Sequence, residues 1–463
     1  KMQSPPDDLV STLSRYNQQH VLKWWQEISE PQQQQLVTQL QAVDFQTIAS
    51  VWQASHDAAK DTSKADAPPR AELAKAPTAA VRQAASDEDT ANRAAAAEVG
   101  QQLLADGKVA VITVAGGQGS RLGFDHPKGM FPVGPVSDRT LFQIFAEQIL
   151  ARKRRHGGEI PWLIMTSSAT HHETEAFFQK HEFFGLDPLT VAFFQQGSMP
   201  AVDAATGRLL LQDQASLCLS PDGHGGLVTA LKSSGLLDQM AAAGIEHFFY
   251  HQVDNPTVIM CDPVLTGLHH QHGSELTTNV VRKSSPTERM GVLVELAGKL
   301  EIIEYTELTE QQASKTDESG QWIFWAGNTA IHMFSLPFFQ QLTDGGCHLE
   351  LHLASKSVPH LDDAGVMVEP AVPNANKFER FIFDALPLTR NALIVEGNRD
   401  REFNPVKNAT GSDSPVTAKA ALNRIAREWM FAAGQIVSDD SDLEISPLEA
   451  LDAAEFAKKF EST

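Results

Sequence analysis

From Asp8 to Trp52, apolar residues recur at helical spacing: Leu9, Leu13, Val21, Leu22, Trp25, Ile28, Leu36, Leu40, Val43, Phe45 and Ile48. The pattern predicts packed helices, one of them opening at Pro31, a residue suited to a first helical turn. Leu36, Val37 and Leu40 carry an apolar stripe through the glutamine run that follows. The pattern then lapses. Residues 54–90 are rich in Ala, Asp, Lys and Pro and read as a linker. Ala91–Ala105 reads as a helix leading into the first core strand.

Beyond it, short apolar runs alternate with helical patterns. Strands are predicted at Val109–Val114, Trp162–Met165, Val191–Phe194, His247–Val253, Leu276–Val281, Val292–Leu296 and Leu393–Val395. Helices are predicted at Leu141–Arg155, Gly226–Ala242, Pro263–His272, Lys377–Leu386 and Pro415–Phe431. Thr140 and Gln143 have the spacing of a capping box, and Leu141, Ile144, Phe145 and Ile149 share one helical face. Such alternation implies an α/β fold with a largely parallel, covered sheet, whose ligands bind at the carboxyl ends of the strands. The expected organisation is a helical region over 1–53, a linker over 54–90, a catalytic domain over 91–390 and a C-terminal domain over 391–463.

Composition narrows the function. The 463 residues carry a net charge of -21, which argues against a general nucleic-acid binder or an acidic-membrane protein. A local cationic pocket for a phosphorylated ligand is still compatible with that charge. The 3 cysteines have no paired spacing, so neither a disulfide frame nor a zinc knuckle is expected. No apolar run has transmembrane length and the first residues lack a signal-peptide core, so a cytoplasmic protein is the expectation. His269, His270 and His272, and the pair His171 and His172, have no zinc-site spacing and read as surface or packed residues.

The chemistry concentrates where the first strand ends, in VITVAGGQGSRLGFDHPKGMFPVG from Val111 to Gly134. Glycines let a backbone approach a ligand and turn its N–H groups toward an anion. Arg121 can grip phosphate oxygens in parallel, and Lys128 acts as a point charge. Two glycines alone would equally make a surface turn with two solvated cations. The loop is not a Walker A, because Lys128 is followed by Gly129. Nor is it the dinucleotide fingerprint, because Leu122 stands where the third glycine belongs.

The stretch AGGQGSRLGFDHPKGMFPVG resembles the signature of sugar-nucleotide pyrophosphorylases. With TLFQIFAEQI after it, it is similar to the eukaryotic-type UDP-N-acetylglucosamine pyrophosphorylases, which transfer a uridylyl group from UTP to a sugar 1-phosphate. The resemblance runs roughly from Leu9 to Leu448, through FFQQGSMP, PDGHGGLVTAL, FFYHQVDNP, KSSPTERMGVL, EIIEYTEL, WAGNTAIHMF, NANKFERFIFD and REFNPVKNATGSDSP. It implies a nucleotidyltransferase-type, Rossmann-like, doubly wound mixed sheet with an N-terminal helical region and a small C-terminal domain.

The resemblance also implies residue roles. Ala115, Gly116, Gly117, Gln196 and Gly225 would hold the nucleotide, with Gln196 reading uracil. Arg121, Lys128 and Lys407 would be catalytic, the first two on the leaving pyrophosphate. Asp254 would hold Mg2+. His224, Gly291, Glu304, Asn328 and Lys377 would contact the sugar or its phosphate. Arg380 has the weaker case for a phosphate contact, because the helical pattern from Lys377 puts it on the exposed side. Partners are then UTP, a sugar 1-phosphate, a UDP-sugar and pyrophosphate, with no nucleic acid and no membrane. At His224 the sequence departs from the Asn usual in the N-acetylglucosamine enzymes. Its Gly-His-Gly string is similar to UDP-glucose and broad UDP-sugar pyrophosphorylases, so glucose or galactose 1-phosphate stays open beside N-acetylglucosamine 1-phosphate. A non-catalytic UDP-sugar binding protein on the same scaffold could dispense with Lys128, Asp254 or Lys407; all three are present.

Overall fold

The structure, a computed structural model, describes residues 4–60, 70–78, 80, 81, 83, 86–438 and 441–460. Parts of the expected linker over 54–90 (61–69, 79, 82, 84 and 85) lie outside the described residues. The chain divides into two compact units. The first takes the described residues of Lys1–Pro68 with Gln196–Gly226 and Leu349–Ile382; the second takes those of Pro69–Gln195, Leu227–His348 and Phe383–Thr463.

In the first unit, the N-terminal periodicity becomes helices Asp7–Arg15, Glu30–Gln41 and Phe45–Lys60 with a 3-10 turn at Gln19–Leu22. Their apolar faces meet Val202, Leu209, Leu211, Leu217, Leu351 and Phe378 in one buried cluster. The helix expected at Lys377–Leu386 does not form. Ala375–Glu379 is a strand, paired with His352–Lys356 and with Val202–Asp203, and a 3-10 segment follows at Ile382–Leu388. Phe378, Phe381 and Ile382 do recur at helical spacing, but cross-strand pairing and the burial of Ala375 and Phe378 override it. Arg380 therefore lies on no helix: its N–H donates to the Asp222 carbonyl at 2.8 Å.

The second unit is built on a mixed sheet of ten strands. They are β1 (Ala80–Val81), β2 (Val109–Val114), β3 (Trp162–Thr166), β4 (Val191–Gln195), β5 (His247–Gln252), β6 (Leu276–Arg282), β7 (Val292–Leu296), β8 (Lys299–Ile303), β9 (Ala326–Ser335) and β10 (Ala392–Glu396). Spatial order is β1-β10-β6-β9-β5-β2-β3-β4, with the hairpin β7–β8 joined to β9. All neighbours along that order pair in parallel except β9, which runs antiparallel to both β6 and β5. The apolar strands are buried on both faces, as a covered sheet requires.

Helix Leu141–His156 follows the glycine loop. The Thr140 hydroxyl accepts from the Gln143 N–H at 3.2 Å, and Gly157 ends the helix at φ 88°. Helix Asp87–Ala105 packs so closely on helix Pro263–Gln271 that a Cβ at Gly267 would lie 1.8 Å from the Ala96 carbonyl oxygen. The single helix expected over Gly226–Ala242 is two, Leu227–Ser233 and Leu236–Ala242, because Gly235 takes φ 77° between them.

Candidate active site

Strand pairing assembles the edge. Gln252 of β5 lies opposite Val114 of β2, and the Val253 N–H donates to the Val114 carbonyl at 3.1 Å. The glycine loop and Asp254 therefore leave neighbouring strands at one level. Because β9 is antiparallel, its first residues reach the same edge, where Asn328 pairs with Val280 near the end of β6.

The loop is shaped by its own backbone. Lys128 N–H donates to the Gly117 carbonyl at 3.0 Å, and Gly119 N–H to the His126 carbonyl at 2.9 Å. These bonds fold the Pro-Lys segment back onto the glycines. The Ser167 hydroxyl, just past β3, donates to the Gly116 carbonyl at 2.8 Å. Nothing lies within 4 Å of a Cβ built on Gly117, so that backbone faces open space. Gly129 is glycine for packing: a Cβ there would strike the Phe142 ring at 2.1 Å. Arg121 is exposed in the 3-10 turn Ser120–Leu122, and Lys128 is half-buried.

Asp254 is half-buried, and its carboxylate makes no hydrogen bond among the described residues. Its carbonyl accepts from Val406 N–H at 2.7 Å, and Lys407 N–H donates to the Asp413 carbonyl at 2.7 Å. Burial raises the Asp413 carboxyl, with Glu288 and Asp254 adding to the rise; Lys407 and Arg399 oppose it. Lys407 also acts against a raised Glu304 carboxyl, for which burial is the main cause and Glu307 and Asp384 contribute. Glu304 meets Gly291, where a Cβ would sit 2.9 Å from its Oε1, and the Asn328 N–H donates to the Gly291 carbonyl at 2.9 Å. Asp254, Lys407, Glu304, Gly291 and Asn328 thus form one connected set within the second unit.

Gln196, His224, Gly225 and Lys377 belong to the first unit. Gln196 Nε2 donates to the Gly223 carbonyl at 2.8 Å, which orients its amide. Nδ1 of His224 accepts from the Ile382 N–H at 3.1 Å, so while that bond holds the ring is neutral and carries its proton on Nε2. At Gly225 the close backbone approach expected of a glycine is present, because a Cβ would meet the Arg380 carbonyl carbon at 2.7 Å. Its N–H, too, donates to the Arg380 carbonyl at 2.8 Å. Lys377 lies on the strand leading into Arg380 and is half-buried.

Sequence reasoning missed Ser167, Asp413 and Asp222. Only Ser167 had a signal, as a hydroxyl directly after a strand. Asp222 is buried between Gly197 and Gly226, and burial raises its carboxyl against the hydrogen bond with Gln196 and the charge of Arg380.

A doubly wound sheet whose carboxyl edge gathers an open glycine turn and unspent charges defines an α/β nucleotidyltransferase. The profile of the UTP–glucose-1-phosphate uridylyltransferase family matches residues 53–462, and the chain belongs to that family. It is a UTP:sugar-1-phosphate uridylyltransferase, acting on UTP and a sugar 1-phosphate and releasing a UDP-sugar and pyrophosphate. It is 34% identical to UDP-N-acetylglucosamine diphosphorylase 2 of Arabidopsis thaliana over 96% of this chain and 90% of that one. It is 38% identical to UDP-N-acetylglucosamine pyrophosphorylase of Saccharomyces cerevisiae over 75% of each. Among solved structures, the uridine diphosphate N-acetylglucosamine pyrophosphorylase of Trypanosoma brucei superposes with TM-score 0.83 at 26% identity, covering 100% of this chain and 96% of that one. Among the described residues, no helix is long and apolar enough to cross a membrane.

Proposed function

We propose that the sugar substrate is N-acetylglucosamine 1-phosphate and that transfer is a Mg2+-assisted in-line displacement. An oxygen of the sugar phosphate attacks the α-phosphorus of UTP. The bond from that phosphorus to the α,β-bridging oxygen breaks, and pyrophosphate leaves with the electron pair. The attacking group is already an anion, so no side-chain nucleophile is required. The protein aligns two anions and offsets the charge that develops.

The glycine turn offers backbone N–H groups to the triphosphate at Gly116 and Gly117. Arg121 and Lys128 hold the departing pyrophosphate, and Lys407 neutralises the sugar phosphate and the transition state. Lys377 adds charge to that phosphate, and Gln196 pairs its amide with uracil. A carboxylate without a hydrogen-bond donor, at a strand end beside phosphates, suits a hard cation. Bound at Asp254, Mg2+ would neutralise phosphoryl oxygens. Glu304, Gly291 and Asn328 receive the sugar.

One observation carries the reading: the open backbone at Gly117 and the unbonded Asp254 carboxylate leave paired strands at one level. For the sugar, support comes from relatives named for N-acetylglucosamine over most of the chain. His224 weighs little against it. An Asn amide oxygen could accept from Ile382 N–H as the imidazole does.

The test is pyrophosphate release from UTP with N-acetylglucosamine, glucose and galactose 1-phosphates. N-acetylglucosamine 1-phosphate should give the highest kcat/KM; a preference for glucose 1-phosphate would overturn the sugar assignment. Arg121→Ala and Lys128→Ala should each lose on the order of 10²-fold in rate. Near-unchanged turnover would reject their roles.

A further inference from the structure

The opposite edge of the large sheet carries a cluster that uridylyl transfer does not use. Glu246 and His247 stand at the start of β5, and both of their N–H groups donate to the Lys108 carbonyl, at 2.9 and 3.1 Å. Helix Pro263–Gln271 brings His270 beside them, with His247 Nε2 and His270 Nδ1 3.1 Å apart. One donor atom from each of Glu246, His247 and His270 lies within 4.8 Å of the other two.

We propose that Glu246, His247 and His270 bind one Zn2+ ion. Two nitrogens at that separation share a single proton between them, and an ion at about 2.0–2.1 Å from each would replace it with little movement. His247 is 8% exposed, and its Nδ1 has no hydrogen-bond partner among the described residues. Its ring stands edge-on to His269 at 5.0 Å and to His270 at 5.3 Å.

Two imidazoles and one carboxylate form a three-ligand zinc set with an open fourth position. Mg2+ and Ca2+ favour all-oxygen surroundings, so this donor set discriminates against the ion that serves the transfer edge. The Lys108 ammonium, 3.0 Å from Glu246 Oε1, competes for the carboxylate and limits affinity. Occupancy would pin helix Pro263–Gln271 to the strand that carries Asp254 at its other end.

The test is competition between the chelator-stripped full chain and a chromogenic zinc chelator, with thermal unfolding followed in parallel. Wild type should take up one equivalent of Zn2+ and melt higher with it. His270→Ala should weaken that uptake at least tenfold and abolish the rise in Tm, since losing even an outer partner of a zinc ligand costs 10–100-fold. Lys108→Ala should tighten binding, which scattered surface histidines would not do. The exposed His172→Ala should change nothing. Equal zinc affinity in wild type and His270→Ala, or weakening by His172→Ala instead, would overturn the site.

Discussion

The backbone N–H of Val406 donates to the carbonyl of Asp254 at 2.7 Å. That bond holds the loop carrying Lys407 against the end of β5, so the proposed metal ligand and the proposed phosphate-binding lysine are set by one contact. The two charges come from segments about 150 residues apart in the chain, and neither needs its side chain to be held in place.

Lys407→Ala is expected to lower kcat on the order of 10²-fold while leaving the melting temperature near wild type, because the loop is held by backbone bonds. Steady-state pyrophosphate release beside a melting curve separates the two. Loss of both together would make Lys407 a structural residue.

Asp254→Asn removes the negative charge and keeps the shape. The Mg2+ concentration for half-maximal rate should rise at least tenfold, with the KM for UTP at saturating Mg2+ less affected. An unchanged Mg2+ titration would move the metal elsewhere.

Gly117→Ala and Gly225→Ala should fail in opposite ways. A methyl at 117 meets open space, so the fold should keep its stability while the KM for UTP rises. A methyl at 225 meets the Arg380 backbone at 2.7 Å and should destabilise by about 1–3 kcal/mol. Urea unfolding and UTP kinetics on the two variants check both halves.

His224→Asn should keep both stability and sugar preference, while His224→Leu orphans the Ile382 N–H and should cost about 1–3 kcal/mol. A switch of sugar preference in His224→Asn would instead make this residue a specificity determinant.

Acid should destabilise the fold through His251. His251 is wholly buried between the Thr113 hydroxyl at 2.7 Å and the Gln252 carbonyl at 3.1 Å, and burial holds it down to about 3 from an ordinary 6.5. A depressed histidine contributes stability that is complete above pH 6.5 and is lost as pH falls toward 3, because the unfolded chain takes up the proton first. In chelator, the urea midpoint should therefore fall between pH 6.5 and 4. His251→Gln should flatten that slope; an unchanged slope would assign it to other groups.

Much of this was legible in the chain. The β2 pattern, the glycine turn after it and the capped helix from Leu141 are local features, and local features leave periodicity and turn chemistry in the sequence. The FFYHQVDNP stretch likewise showed an apolar strand ending in a carboxylate. Family resemblance then attached roles to residues whose types alone were ambiguous.

Tertiary structure decided the rest. Ala375–Glu379 became a strand because two partners pair with it, whatever its own spacing suggests. The antiparallel β9 carries Asn328 to the active edge only through its pairing with β6 and β5. Gly117 and Gly225 read alike in sequence, yet one faces open space and the other a neighbouring backbone. His270 looked like one of several loose histidines until helix packing brought it to His247, 23 positions earlier. Periodicity records which face of an element is buried. It does not record which distant element does the burying, and that pairing is where this protein's charges meet.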